Sequence, residues 1–317
     1  MRLTVWLTKY PREIGLLALI GCFALAVREF ATVGNATNVL MQFAPILLIT
    51  VGQSFAILTG GIDLSQGAAV GLYSVLFVWL IPHVGIPAAA ILVVLLACAY
   101  GVLIGYLVTV PKGGINPLVV TLAALYVING IVMYATGGTP LTVSDPAFAR
   151  VLSIVGTSVW MHIPIAFLIA AACCLAAFVF LHRTGMGLSI FAVGNNPMAA
   201  KVHGISLLSA RAFGYAACGA LTAVGSFLLS ARIYQGNPHL GEGLLFDSIG
   251  GAVLGGVALS GGVGGVWAAA RGILLVVLIQ NALYLTDLNS YLRDIVVGLL
   301  IFFGYLASQK RLGGKVK

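Results

Sequence analysis

The chain has 317 residues, 61% of them hydrophobic and 8% charged, with 40 glycines and a formal net charge of +8. That balance excludes a soluble globular domain, whose charged share is about a quarter, and points to an integral membrane protein. The apolar runs are long and continuous, which excludes the alternating short segments of a barrel and leaves helices of about 20 residues as the spanning element.

In chain order the predicted spans run from Glu13 to Val27, Val39 to Thr59, Gly67 to Ile81, Ile86 to Val110, Pro117 to Thr136, Trp160 to Leu181, Ala212 to Ala231, Ser248 to Ser260, Val266 to Leu285 and Tyr291 to Ala307. The first follows basic residues without a small-residue cleavage site, so it reads as a retained span. Between the second and third lies GGIDLSQGAAVG, Gly60 to Gly71, and around the eighth lies GGAVLGGVALSGGVGG, Gly250 to Gly265. Short, glycine-interrupted segments mark broken helices beside a membrane pathway, although close packing of small residues gives the same texture. The longest outer loop, Gly137 to Val159, is too short for a core of its own. The fold class is therefore all-α: about ten transmembrane helices with glycine-rich short or broken helices, in a single domain over residues 1–317.

The polar loop of about 182–211 interrupts this pattern, and its second half carries the start and stop signals of a helix of two turns. Asn196 suits the cap, Pro197 the first helical position and Gly204 the left-handed terminator. Ala199 and Ala200 leave a face with little side chain, which another protein's surface can approach closely. The competing reading is a loop helix lying on the bilayer surface.

Charge places this loop. Ten spans put both termini on one side, which receives Arg2, Lys9, Arg12, Lys112, Arg183, Lys201, Arg211, Lys310, Arg311, Lys315 and Lys317, against Arg28, Arg150, Arg232 and Arg293 on the other. Lysine and arginine gather in cytoplasmic loops, so the termini and the capped helix are cytoplasmic, and the positive charge is a topology signal with no nucleic-acid reading.

Ionisable residues at membrane depth are confined to Asp63 and Arg271, both near span ends, fewer than an ion-coupled carrier needs. Asp63, helped by Ser65, reads either as the organiser of a broken helix end at a gate or as a simple cap of the next span. The five cysteines lie in apolar runs and read as packing residues. The histidines are scattered, with no metal-ligand or catalytic spacing, so neither a metal site nor an enzyme is read here. Gln53, Asn116, Asn129, Gln235, Asn237 and Asn281 are polar groups suited either to a sugar route or to bonds between helices, and Trp79 and Trp160 read as interfacial anchors. A pathway without ion coupling or catalysis, carrying a cytoplasmic docking helix, implies a separate ATP-hydrolysing engine.

Four segments resemble the membrane permease subunits of bacterial ABC importers for monosaccharides, the ribose, xylose and galactose group. They are GQSFAILTGGIDLSQGAAVGL from Gly52, KGGINPLVVTLAALYVINGI from Lys112, the docking loop, and the stretch from Phe246 to Leu300 with VLGGVALSGGVGGVWAAARGILLVVLIQNAL. In the loop, Gly194, Asn196, Ala199, Ala200, Gly204 and Ile205 fit the pattern G-x-N-x-x-A-A-x-x-x-G-I. Gln66 and the GGINP after Lys112 depart from the family pattern. The LSGG of Leu259 to Gly262 is no ATPase signature, since it adjoins a span and no Walker A pattern occurs in the chain.

The resemblance implies a multi-pass protein of the bacterial inner membrane, surrounded by lipid. It works with a second permease subunit, identical or a paralogue, with a cytoplasmic ATPase that binds ATP and magnesium, and with a periplasmic sugar-binding protein; the chain itself holds no cofactor. It implies a coupling helix at Gly194, Asn196, Pro197, Ala199, Ala200, Gly204 and Ile205 that inserts into the ATPase, while the reading of the first glycine-rich segment makes Gly60, Gly61, Asp63, Ser65 and Asn116 candidates for the translocation pathway or its gate. A polyol, a nucleoside or a sugar-like signal molecule is an alternative cargo. A stand-alone channel for small neutral solutes is the alternative of a different class.

Overall fold

The computed structural model describes residues 11–110, 114–286 and scattered positions between 289 and 302. The helices are α1 (Pro11–Ala26), α2 (Val33–Leu58), α3 (Gln66–Val84), α4 (Ile86–Thr109), α5 (Pro117–Thr136), α6 (Pro146–Gly156), α7 (Ile165–Arg183), α8 (Gly185–Asn195), α9 (Pro197–Val202), α10 (Leu207–Ile233), α11 (Leu244–Gly255) and α12 (Val266–Tyr284). Two small antiparallel pairs complete the fold among these residues: β1 (Leu141–Thr142) with β4 (Gln235–Gly236), and β2 (Val159–Trp160) with β3 (Ile163–Pro164). Among the described residues seven helices, α2 to α5, α7, α10 and α12, are long and apolar enough to cross a bilayer.

Local chemistry sets many of the helix starts. Thr32 accepts the Asn35 N–H to begin α2, Asn116 precedes Pro117 at α5, Asp145 accepts the Ala147 N–H before Pro146 at α6, and Ser206 begins α10.

Helix α10 is the centre of the bundle, packed along α4, α2 and α3. Its seam with α4 places Ala97, Gly101 and Gly105 against the backbones of Gly219, Tyr215 and Ala212, so the two helices touch main chain to main chain. Lipid is as apolar as any side chain, so this close van der Waals contact, and not water exclusion, holds such helices together. Polar bonds add to it: Ser74 and Ser230 lie 2.7 Å apart between α3 and α10, and Asn35 and Asn281 exchange two 2.9 Å bonds between α2 and α12. Asn281 is thus an interhelical bond maker. Trp79 and Trp160 are more than half exposed, as interfacial anchors are.

Three differences from the sequence reading matter. The stretch read as an eighth span, Ser248 to Ser260, is α11, which starts four residues earlier and stops at Gly256, where φ is +104°. Its 12 residues rise about 18 Å, too little to cross. The loop of Gly137 to Val159, read as outer, contains the amphipathic α6, and the loop of about 182–211 contains α8 as well as the anticipated α9. The tenth predicted span, Tyr291 to Ala307, lies mostly outside the described residues.

Candidate functional site

The docking loop begins where Thr184 ends α7 and caps α8, its hydroxyl accepting the Gly187 N–H at 3.1 Å. Asn196 then caps α9, accepting the Ala199 N–H at 3.0 Å, and Pro197 occupies the first position. The helix stops at His203 and Gly204, whose φ is +78°, and the Ile205 N–H turns back to the Ala200 carbonyl at 2.9 Å. The spacing of cap, proline and glycine is realised as the sequence predicts.

The exposed face is not the one the sequence reading favours. Ala199 is exposed, but Ala200 is only 4% exposed and packs with Val193 and Ala210 inside the chain's own loop. A small residue is required at 200 for that internal contact. The outward face belongs to Met198 and Val202, 73% and 84% exposed and one turn apart. The signal for them was two apolar residues at i and i+4 in a six-residue helix within a polar loop.

Gly194, in the last turn of α8, is buried at a junction of three chain segments. A β-carbon there would stand 1.9 Å from the Leu58 carbonyl oxygen, so only glycine lets α8 rest on the inner end of α2. The same Leu58 carbonyl accepts the Gly262 N–H at 3.1 Å, and Asn195 Nδ2 donates to the Gly262 carbonyl at 3.2 Å. Gly261 completes the contact with its backbone against Gly60, in a left-handed conformation of φ +89°. Both glycine-rich segments, far apart in sequence, therefore meet the docking loop through backbone atoms.

From this junction the chain climbs back into the bundle through residues 59–65. Gln66, at the start of α3, donates to the Ile49 carbonyl at 2.8 Å, nine residues before the end of α2. At 1.5 Å per residue that is about 14 Å above Leu58, so α3 begins well inside the bundle. Irregular backbone at such depth persists only where protein buries it and pairs its polar groups. Asp63, 5% exposed, supplies the pairing: its Oδ1 accepts the Ser65 N–H at 2.9 Å and the Ser65 hydroxyl. The Tyr100 hydroxyl donates to Ser65 Oγ, and Gln53 donates to the Asp63 carbonyl at 3.3 Å. Among the described residues no cation pairs with this carboxylate. Gln66 also donates to Thr222 of α10 at 2.9 Å and accepts from Ser248 of α11 at 3.0 Å, tying four helices at one point.

A second irregular segment descends from the outer side, and the sequence reading did not anticipate it. Residues 237–243 lie directly on α3: a β-carbon at Gly71 would stand 2.2 Å from the Pro238 carbonyl, and one at Gly241 1.8 Å from the Gly67 carbonyl. α11 starts where this segment ends, beside Gln66. At the outer end His239 bonds Glu242 at 2.6 Å, which raises the imidazole above its ordinary pKa of 6.5.

The predicted gate residues divide accordingly. Gly60, Gly61, Asp63 and Ser65 share one segment, with the Tyr215 hydroxyl pressed over Gly61. Asn116 is exposed and caps α5 through the Leu118 N–H at 2.9 Å, and the contact between α5 and the segment is made by Thr121, which donates to the Ile62 carbonyl at 3.1 Å. Arg271 is half-buried in α12, its Nε donating to the Trp267 carbonyl at 3.2 Å.

Comparison with known proteins gives a consistent result. The family model described as branched-chain amino acid transport system / permease component matches residues 35–304. The ribose import permease protein RbsC of Escherichia coli strain K12 is 31% identical, the match covering 96% of this chain and 95% of that protein. RbsC of Bacillus subtilis strain 168 is 31% identical over 94% and 92% of the two chains. The galactose/methyl galactoside import permease protein MglC of Salmonella typhimurium is 30% identical over 94% and 93%. No solved structure matches the chain.

Proposed function

Because the chain belongs to this family of multi-pass transport permeases, we propose that it is the membrane subunit of an ABC importer that carries a monosaccharide across the bacterial inner membrane. The carrying observation is the seat of the docking loop: Gly194 touches the inner end of α2 while Asn195 holds Gly262 of the second glycine-rich segment.

In this reading α9 is the coupling helix. Met198, Ala199 and Val202 face the ATPase, and Lys201 lies exposed beside them. Asn196, Pro197, Gly204 and Ile205 shape the helix, and Ala200 fastens it to α10 through Ala210. A displacement of α9 passes through α8 to Leu58, Gly60 and Gly262, against which the α8 backbone lies directly. From there it reaches the Asp63–Gln66 segment, where α2, α3, α10 and α11 are tied. Close-packed contacts of this kind move as a unit because there is little room for them to deform.

The chain contributes the pathway and no catalysis. ATP and magnesium are held by the cytoplasmic ATPase, and a periplasmic sugar-binding protein delivers cargo to the outer face. A second permease subunit completes the channel, and both termini face the cytoplasm. The sugar assignment follows the ribose and galactose permeases it is similar to. The Asp63 cluster is enclosed within one subunit, which suits an anchor for a gate better than a sugar contact.

The test is reconstitution in liposomes with and without the ATPase and binding protein. Uptake of ribose or galactose requires both, and Met198→Asp/Val202→Asp abolishes it by weakening ATPase association tenfold or more, about 1.4 kcal/mol or above. Solute flux through the chain alone would instead establish a channel.

A further inference from the structure

Helices α7 and α10 are the two arms that carry the docking loop, and they meet at few points, among them the rings of Phe180 and Phe213, whose centroids are 6.4 Å apart. With α4 they enclose an apolar groove of about 770 Å³. Val102 and Tyr106 line it from α4, Ala176 and Phe180 from α7, and Ala216 and Ala220 from α10.

Three properties identify the occupant. The first is height: on α10 the lining runs from Leu208 to Leu221, which at 1.5 Å per residue is about 20 Å. It begins one residue inside the start of α10, at the cytoplasmic boundary, and so covers one leaflet of a hydrocarbon core about 30 Å thick. The second is the lining. The groove is open along one side and lined almost wholly by carbon and thiol groups, which suits an extended hydrocarbon chain lying in it. The third is charge at the mouth. Arg183 follows Phe180 by three residues on the same face of α7, and Arg211 stands in the first turns of α10, its Nη1 reaching the Val108 carbonyl at 3.3 Å. Ser209 lies in the lining beside them.

We infer that the groove holds an acyl chain of an anionic inner-leaflet phospholipid, its phosphate at Arg183 and Arg211 and its tail wedged between the arms of the docking loop. The lipid fills the space that the few contacts between α7 and α10 leave and steadies their separation. Its consequence for coupling rests on the proposed docking role of α9; its binding does not.

The experiment uses the full chain reconstituted in phosphatidylethanolamine and phosphatidylglycerol, without ATPase, so failure of the docking reading leaves every readout unchanged. After purification in mild detergent, mass spectrometry counts phospholipid per chain. The wild type retains phosphatidylglycerol in preference, and Ala176→Leu/Ala216→Leu, which fills the groove with side chain, loses it at unchanged helix content and elution volume. Arg183→Gln/Arg211→Gln retains a lipid but loses the headgroup preference. Phosphatidylglycerol with a photoreactive tail supplies an arm that needs no variant, since in the wild type its adducts fall on the α4, α7 and α10 peptides that line the groove. Equal retention by wild type and filled variant overturns the inference, as do adducts spread evenly over the membrane surface. Oxidative cross-linking of two chains through Cys98 or Cys173, which line the same groove, would also overturn it by placing a second copy there.

Discussion

The inner junction and the Asp63–Gln66 cluster solve different problems with different atoms. At Gly194, Leu58 and Gly262 the contact is backbone on backbone, and the Asn195 amide adds one bond to the Gly262 carbonyl. At Asp63, Ser65, Gln66, Thr222 and Ser248 side chains do the joining, and the backbone they support is irregular. In the proposed coupling the first transmits displacement because its backbones touch directly. The second sustains a helix break at membrane depth because it supplies the hydrogen bonds that a continuous helix would have made internally.

Substitutions can break this contrast from either side. The largest effect belongs to the junction: Gly194→Val places side chain into the Leu58 carbonyl, an overpacking cost of about 1–3 kcal/mol, and eliminates ATP-driven uptake. Gly185→Ala, in the same helix with open space around it, leaves uptake at wild-type level. If both variants transported equally, the junction would have no part in coupling.

The cluster responds next. Asp63→Ala leaves the Ser65 N–H and hydroxyl without their acceptor, costing about 1–3 kcal/mol, and lowers uptake at unchanged membrane abundance. Asp63→Asn keeps an acceptor oxygen and retains most uptake. A parallel fall of abundance and uptake in Asp63→Ala would make the residue purely structural. A smaller effect follows from Ser248→Ala, which removes one of the bonds of Gln66 and lowers thermal stability in detergent by about 1 kcal/mol, read as a shift in melting temperature.

The smallest lies in the exposed turn of His239 and Glu242. Glu242 raises the His239 pKa above 6.5, so the pair's contribution is complete below pH 6.5 and fades as pH rises through the raised value. Glu242→Gln brings the His239 midpoint back toward 6.5, measurable by NMR of the labelled imidazole. An unchanged midpoint would show that another neighbour sets it.

Much of this molecule was readable from residue order. The α9 cap, its proline and its terminating glycine act through neighbours two to four residues away, and those contacts are fixed by sequence. The same holds for most spans, since about 20 apolar residues have one way to satisfy their backbone in lipid. The eighth span was misread because α11 is as apolar as a full span, while its length is set by Gly256 and by the segment that delivers it to Gln66. Ala200 was misread because one small residue looks like another until packing decides which faces inward.

By itself the sequence determined the fold class, the positions of most helices, the capped loop helix and the family. Only the tertiary structure decided that Gly60, Gly194 and Gly262 are neighbours, that Asp63 is enclosed, and that Met198 and Val202 form the exposed face. Hydropathy and capping are properties of adjacent residues. The approach of three backbones separated by more than sixty residues at each step depends on how the helices between them pack, and no local pattern encodes it.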